Sequence, residues 1–124
     1  MKTEVVNSYN ELSRKAKDFV IHEIENTRNL LLCAATGNSP TGTYQLLTEE
    51  FQHQPELFSS LRVIKLDEWG GIPLDQPGTC ETYLQKNLIQ PLQLPESRYI
   101  RFNSNPENPL EECSSIQELS LIHI

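Results

Sequence analysis

The segment that most narrows the fold is Leu30-Leu31-Leu32-Cys33-Ala34-Ala35, a continuous apolar run without alternation. A strand with one wet face alternates apolar and polar residues. An unbroken run suits a strand buried on both faces, as in a parallel sheet covered by helices. Thr36-Gly37-Asn38-Ser39-Pro40-Thr41-Gly42 follows at once as a tight polar loop. Ser39 suits the cap of a second helix, and Pro40 its first position. Tyr44, Leu46, Leu47 and Phe51 are that helix's apolar positions.

The remaining pattern repeats this unit. Ser8 followed by Glu11 makes a capping box, and Tyr9, Leu12, Ala16, Phe19, Val20 and Ile24 then recur on one helical face. Residues 26–29 connect that helix to the first strand. Residues 61–66 (LRVIKL) read as a second strand, and 67–78 as a loop rich in Gly and Pro. A third helix starts at Thr79 or Cys80 and runs to Leu88. Residues 98–102 (RYIRF) alternate as a third strand nearer an edge, and 110–119 form a last helix. Strands alternating with helices predict an α/β fold with right-handed crossovers. The expected architecture is a three-layer, Rossmann-like parallel sheet with flanking helices, in a single incomplete domain over residues 1–124.

Ten basic and 17 acidic residues give a net charge of −7, and the basic residues are scattered. A nucleic-acid or anionic-membrane surface needs a basic footprint, so neither partner is expected. A small anion is still accommodated, because backbone N–H groups at a helix start hold one without net positive charge. The three cysteines, Cys33, Cys80 and Cys113, show no zinc spacing. Residues 1–10 have no signal-peptide core, and residues 30–35 are far too short to span a membrane. Reduced thiols and a cytoplasmic location follow. Cys33 is expected to be a buried, inert thiol, and Cys80 to pack near the site.

Ligands of open parallel sheets sit beyond the carboxyl ends of the strands, where this chain has two loops. In residues 36–42, Gly37 allows a sharp turn or close approach, and Asn38, Ser39 and Thr41 supply side-chain donors. The helix start behind them suits a phosphate. No Lys follows the Gly, so the loop is not a Walker motif, nor is it GxGxxG. Leu66-Asp67-Glu68-Trp69-Gly70-Gly71 opens the second loop. Neighbouring side chains point to opposite sides of a strand, so one carboxylate should face the ligand and the other make structural hydrogen bonds. A carboxylate shielded by Trp69 suits a general base. Taken singly, each loop also reads as ordinary: a plain strand–turn–helix joint and a solvated acidic turn. Together they describe proton abstraction from a phosphorylated small molecule.

Three segments carry a resemblance. Residues 35–44 (ATGNSPTGTY), residues 65–69 (KLDEW), and residues 78–84 (GTCETYL) with 89–92 (IQPL) resemble, in order, the glucosamine/galactosamine-6-phosphate isomerase (deaminase) family. The third is particularly similar to the galactosamine-6-phosphate branch. The resemblance implies conversion of a 2-amino-2-deoxyhexose 6-phosphate to a ketose 6-phosphate with release of ammonia. A carboxylate takes the proton from C2 of the opened sugar and returns it at C1. Asp67 matches that base, and Thr36, Gly37, Asn38, Ser39 and Thr41 match the substrate loop. Glu68 is placed with the substrate-binding set and given structural hydrogen bonds. The resemblance implies no metal and no organic cofactor, a small phosphorylated amino sugar as partner, and a homo-oligomer for a full-length protein. The rivals are a 6-phosphogluconolactonase-type hydrolase and a non-catalytic sugar-phosphate sensor. Trp69 stands where such hydrolases carry a basic residue, and no basic recognition helix precedes the first strand.

The family's later Gly-rich segment, with its ring-opening His and distal phosphate-gripping residues, has no counterpart here. His22 and His53 fall on polar surface segments, and His123 lies in an apolar ending that does not resemble the family. The expectation is the N-terminal part of a longer enzyme, inactive alone, with residues 119–124 a non-native tail.

Overall fold

A computed structural model describes residues 3–121. The elements run α1 (Tyr9–Asn26), β1 (Leu31–Ala34), α2 (Asn38–His53), β2 (Arg62–Lys65), α3 (Cys80–Leu84), β3 (Tyr99–Ile100) and α4 (Pro109–Leu121). The three strands form one sheet in the order β1-β2-β3, parallel throughout. Leu32 pairs with Val63, Ala34 with Lys65, and Val63 with Tyr99. The α/β class and the parallel sheet with flanking helices are as the pattern predicts.

α1 begins where the capping box places it. Ser8 Oγ accepts the Glu11 N–H at 3.2 Å, while the Glu11 carboxylate reaches back to the Asn7 N–H at 3.0 Å, one residue beyond the usual partner. α1 lies close against α2 because Gly42 has no side chain; a Cβ there would collide with Ser13 Oγ.

Because side chains alternate, residues 32, 34, 63, 65 and 99 share one face of the sheet. That face holds the core: Ala34, Val63 and Tyr99 pack with Tyr44 and Leu47 of α2, and with Leu84, Leu88, Ile89 and Leu92. The third helix runs to Ile89, one residue past the expected Leu88, and changes its winding on the way. After Leu84 the turn over Gln85–Ile89 widens to a π-helix, so the Gln90 N–H bonds Gln85 O at 3.1 Å. The wide turn aims Leu88 and Ile89 inward. Each buried aliphatic side chain contributes roughly 1.5–3 kcal/mol of transfer free energy.

The other face departs from expectation. It carries Leu31, Cys33, Ile64, Leu66 and Phe102, with Cys113 and Ile116 of α4 across a gap. Cys33 is exposed, not buried as the apolar run predicted, because odd-numbered residues of β1 point to this thinly covered side. The third strand is also shorter than RYIRF suggests. Arg98 closes a 3-10 turn, its guanidinium donating to Phe58 O, Ser59 O and Leu61 O. Arg101 is drawn away to acidic partners. α4 continues through residues 119–121 of the expected tail, whereas 122–124, with His123, lie outside the described residues.

Candidate active site

The loop after β1 turns at Gly37, whose φ of 105° and ψ of −175° lie in a region open essentially to glycine. α2 starts at once, at Asn38, with Gly37 as its N-cap and no side-chain cap. This corrects the expectation for Ser39 and Pro40: the glycine turn starts the helix earlier, placing both Ser39 and Pro40 inside the first turn. Among the described residues the N–H groups of Gly37, Asn38 and Ser39 have no partner. The Asn38 and Ser39 side chains are exposed beside them.

Three carbonyls at this loop accept from tyrosines. Tyr44 donates to Ala35 O, Tyr83 to Gly37 O and Tyr9 to Asn38 O, each at 2.7 Å. Tyr9 Oη also accepts the Gly42 N–H at 2.8 Å. Thr41 Oγ1 lies 2.9 Å from Gly37 O and 2.6 Å from Tyr83 Oη. The Thr41 hydroxyl is thus engaged inside the loop. Burial pushes the Tyr44 phenol up, with the Tyr83 and Cys33 groups adding to it, so it stays a protonated donor. The sequence reading saw Tyr9 and Tyr44 only as apolar positions. Their paired polar tip is the missed signal, since a buried tyrosine hydroxyl normally needs a partner.

The loop after β2 is held by a buried ionic cluster. Lys65 is 1% exposed, and its ammonium donates to Glu68 Oε2 at 2.8 Å and Glu81 Oε2 at 2.9 Å. Glu68 accepts three further hydrogen bonds, from the N–H groups of Trp69 (2.9 Å), Cys80 (3.0 Å) and Glu81 (2.8 Å). Two of these donors belong to the first turn of α3, which Thr79 also caps through the Thr82 N–H at 3.1 Å. Glu81 receives, besides Lys65, Gln85 at 2.8 Å, Tyr99 Oη at 3.0 Å and Arg101 at 2.9 Å. Two cations therefore balance two carboxylates. Glu68, expected both to line the site and to make structural hydrogen bonds, makes those bonds and also borders the cleft beside Asp67. The reading missed Lys65, Glu81, Tyr99 and Arg101, although a lysine inside an apolar strand was a visible sign that an acidic partner had to be near.

Burial pushes the Glu68 carboxyl up, but the Lys65 ammonium and the N–H groups of Trp69, Glu81 and Cys80 outweigh it and hold its pKa below the usual carboxylate range. Burial likewise pushes Glu81 up, and Gln85, Lys65 and Arg101 together bring it below that range. A carboxyl depressed in the folded state stabilises the fold fully above its unfolded value, and that contribution is lost as pH falls through the folded one. Thermal stability is therefore expected to hold between pH 7 and about pH 5, and to fall steeply below about pH 4. Melting curves from pH 7 to pH 3 check this; a Tm flat across the acid range would contradict the role given to the cluster.

Asp67 comes before Glu68 in the same loop and is left open. Its carboxylate is exposed at the wall of a cleft of ≈ 400 Å³, bounded by Leu66, Trp69, Gly70, Phe102 and Asn103. Trp69 is 61% exposed, so it walls the cleft without shielding the carboxylate as expected. The Gly71 N–H donates to Ser104 O at 2.7 Å, tying the loops after β2 and β3 together. The buried Cys80 thiol joins the halves of the site: its Sγ lies 3.9 Å from Asp67 Oδ1 and 3.6 Å from Thr36 Oγ1. Burial pushes this thiol up, so it serves as a neutral donor. The structure thus brings Thr36 and Asp67 to one thiol, with Gly37, Asn38 and Ser39 following in the same loop. His22 and His53 lie exposed outside it.

Fold and site define a Rossmann-like α/β protein with backbone N–H groups unpartnered among the described residues and an open carboxylate at adjacent strand ends. No protein-family model matches the chain. It is 40% identical over 114 residues to "Putative deaminase AgaI" of Escherichia coli (strain K12), covering 92% of this chain and 45% of that protein. It is 28% identical over 119 residues to a glucosamine-6-phosphate deaminase of Geobacillus sp. (strain WCH70), covering 96% and 47%. A solved monomeric glucosamine-6-phosphate deaminase of the NagB superfamily superposes with a TM-score of 0.89 at 28% identity, over 98% of this chain and 51% of that one. The 6-phosphogluconolactonase of Trypanosoma brucei, at 18% identity and a TM-score of 0.70 over 94% and 47%, shares the fold. By sequence and fold together, the chain resembles the glucosamine-6-phosphate deaminases over nearly all of its own length. It spans about half the length of the curated relatives it matches.

Proposed function

We propose that the chain supplies the substrate loop and the proton-transferring base of an amino-sugar phosphate isomerase/deaminase. The observation that carries this is the division of labour between adjacent carboxylates: Glu68 is locked by Lys65 and three N–H groups, which leaves Asp67 open to the cleft. Proton transfer between adjacent carbons needs one well-placed base. In this reading the sugar opens, and Asp67 removes the proton from C2, which the attached amine helps to acidify. The same carboxyl returns the proton at C1, which leaves an imine at C2; water adds to that carbon and displaces the nitrogen as ammonia, giving the ketose 6-phosphate. The N–H groups of residues 37–39, with the Asn38 and Ser39 side chains, hold the substrate's oxygens. The likeness of residues 78–84 and 89–92 to the galactosamine-6-phosphate branch supports galactosamine 6-phosphate over its glucosamine epimer.

The working domain is proposed to include more of the fold than these residues. β1 has the composition of an interior strand, yet it stands at the sheet edge with Cys33 exposed. A further layer against β1 would give that run the burial its sequence suits.

The test is to assay the purified chain alone, and mixed with the C-terminal half of the E. coli relative, for ammonia release from each hexosamine 6-phosphate and for 6-phosphogluconolactone hydrolysis. Ammonia from the mixture and little from the chain alone is expected. Lactone hydrolysis without ammonia would replace the reaction proposed, and full turnover by the chain alone would refute the partial-domain reading.

A further inference from the structure

We propose that Tyr9, Tyr44 and Tyr83 are positioning residues that orient the loop after β1 to receive the substrate's phosphate; this rests on the substrate reading above. The three phenols come from three helices, α1, α2 and α3, and converge on one stretch of backbone. They take the carbonyls of Asn38, Ala35 and Gly37 at the same distance, 2.7 Å.

The consequence follows from peptide geometry. In a planar trans peptide the C=O of one residue and the N–H of the next point in opposite directions. Fixing Ala35 O therefore aims the Thr36 N–H away from Tyr44. Fixing Gly37 O and Asn38 O does the same for the Asn38 and Ser39 N–H groups. The latter two are the donors at the start of α2 that lack partners among the described residues. A carbonyl free to rotate toward the ligand would present negative charge to an anion; each phenol prevents that at one peptide.

Tyr83 has a second role in the same arrangement. It sits on α3, whose first turn Glu68 holds and whose Cys80 thiol touches both Thr36 and Asp67. One short helix thus sets the distance between the phosphate loop and the carboxylate. Nothing in the sequence spacing shows this, since residues 37 and 83 meet only in the folded chain.

The experiment uses the full chain labelled with ¹⁵N, titrated separately with inorganic phosphate and with galactosamine 6-phosphate. The amide signals of Thr36, Gly37, Asn38 and Ser39 are followed in wild type, Tyr9→Phe, Tyr83→Phe and the double variant. Wild-type signals are expected to shift with both ligands. Each single variant should bind phosphate about three- to tenfold more weakly, the scale of one lost hydrogen bond. Amide exchange at residues 38 and 39 should accelerate in the variants while exchange in β1 and β2 stays unchanged. Tyr9 is 47% exposed, so its phenylalanine variant keeps the test sound if Tyr83→Phe disturbs the fold. Unchanged exchange and affinity in both variants would overturn the proposal. So would faster exchange with unchanged affinity, which would leave the phenols as stiffeners only. Wild-type amides unmoved by either ligand would refute the substrate reading of the loop, a separate failure that removes the clamp's function with it.

Discussion

Lys65→Met should cost the fold about 3–5 kcal/mol, the scale for removing one partner of a buried ion pair. The side chain is 1% exposed and is the cation shared by Glu68 and Glu81. Methionine matches its length and packs well, so the loss is electrostatic and not steric. After substitution Glu81 keeps Arg101, Tyr99 and Gln85, while Glu68 keeps only backbone donors. Domains of this size are stable by only about 5–15 kcal/mol, so the variant should unfold at far lower urea or not fold at 37 °C. Adding Glu68→Gln should recover part of the loss, because the second change removes the carboxylate left without a cation; the double-mutant cycle measures that coupling. A Lys65→Met midpoint within about 1 kcal/mol of wild type would mean that the cluster is not what holds the loop after β2.

How much of this was legible depends on the range of the signal. The βα units were readable because a buried strand and a helical stripe each declare themselves within about ten residues. LLLCAA and LRVIKL gave β1 and β2, and Ser8 gave the start of α1. The two loops were readable because they follow those strands directly. What was not legible is long-range. Cys33 was misplaced because an apolar run states what a strand needs, not what covers it. The start of α2 was misplaced because a glycine at φ 105° can open a helix without a side-chain cap. The cluster of Lys65, Glu68, Glu81 and Arg101 joins residues up to 36 positions apart, and the tyrosines reach the loop from three helices. Sequence pattern placed the two loops; packing decided which carboxylate is free.

That freedom is tested directly by Asp67→Asn. The two carboxylates of the pair should fail in different ways. Asparagine has the shape of aspartate but cannot accept the C2 proton, so kcat should fall about 10²–10⁴-fold, the usual contribution of a positioned base. Asp67 is exposed, and among the described residues its hydrogen-bond partner is the Cys80 thiol at 3.9 Å, so stability should move by less than about 0.5 kcal/mol. The sugar phosphate should bind as before, because the phosphate loop is built from other residues. Glu68→Gln should behave in the opposite sense. It keeps acceptor oxygen for one side but forfeits charge opposite Lys65 and at the start of α3, so unfolding shifts first and turnover falls through loss of the loop. Both variants are compared in the same mixture assayed for ammonia release, with urea midpoints taken on the chain alone. If Asp67→Asn turned over at the wild-type rate while Glu68→Gln lost kcat without losing stability, the roles of the two carboxylates would have to be exchanged.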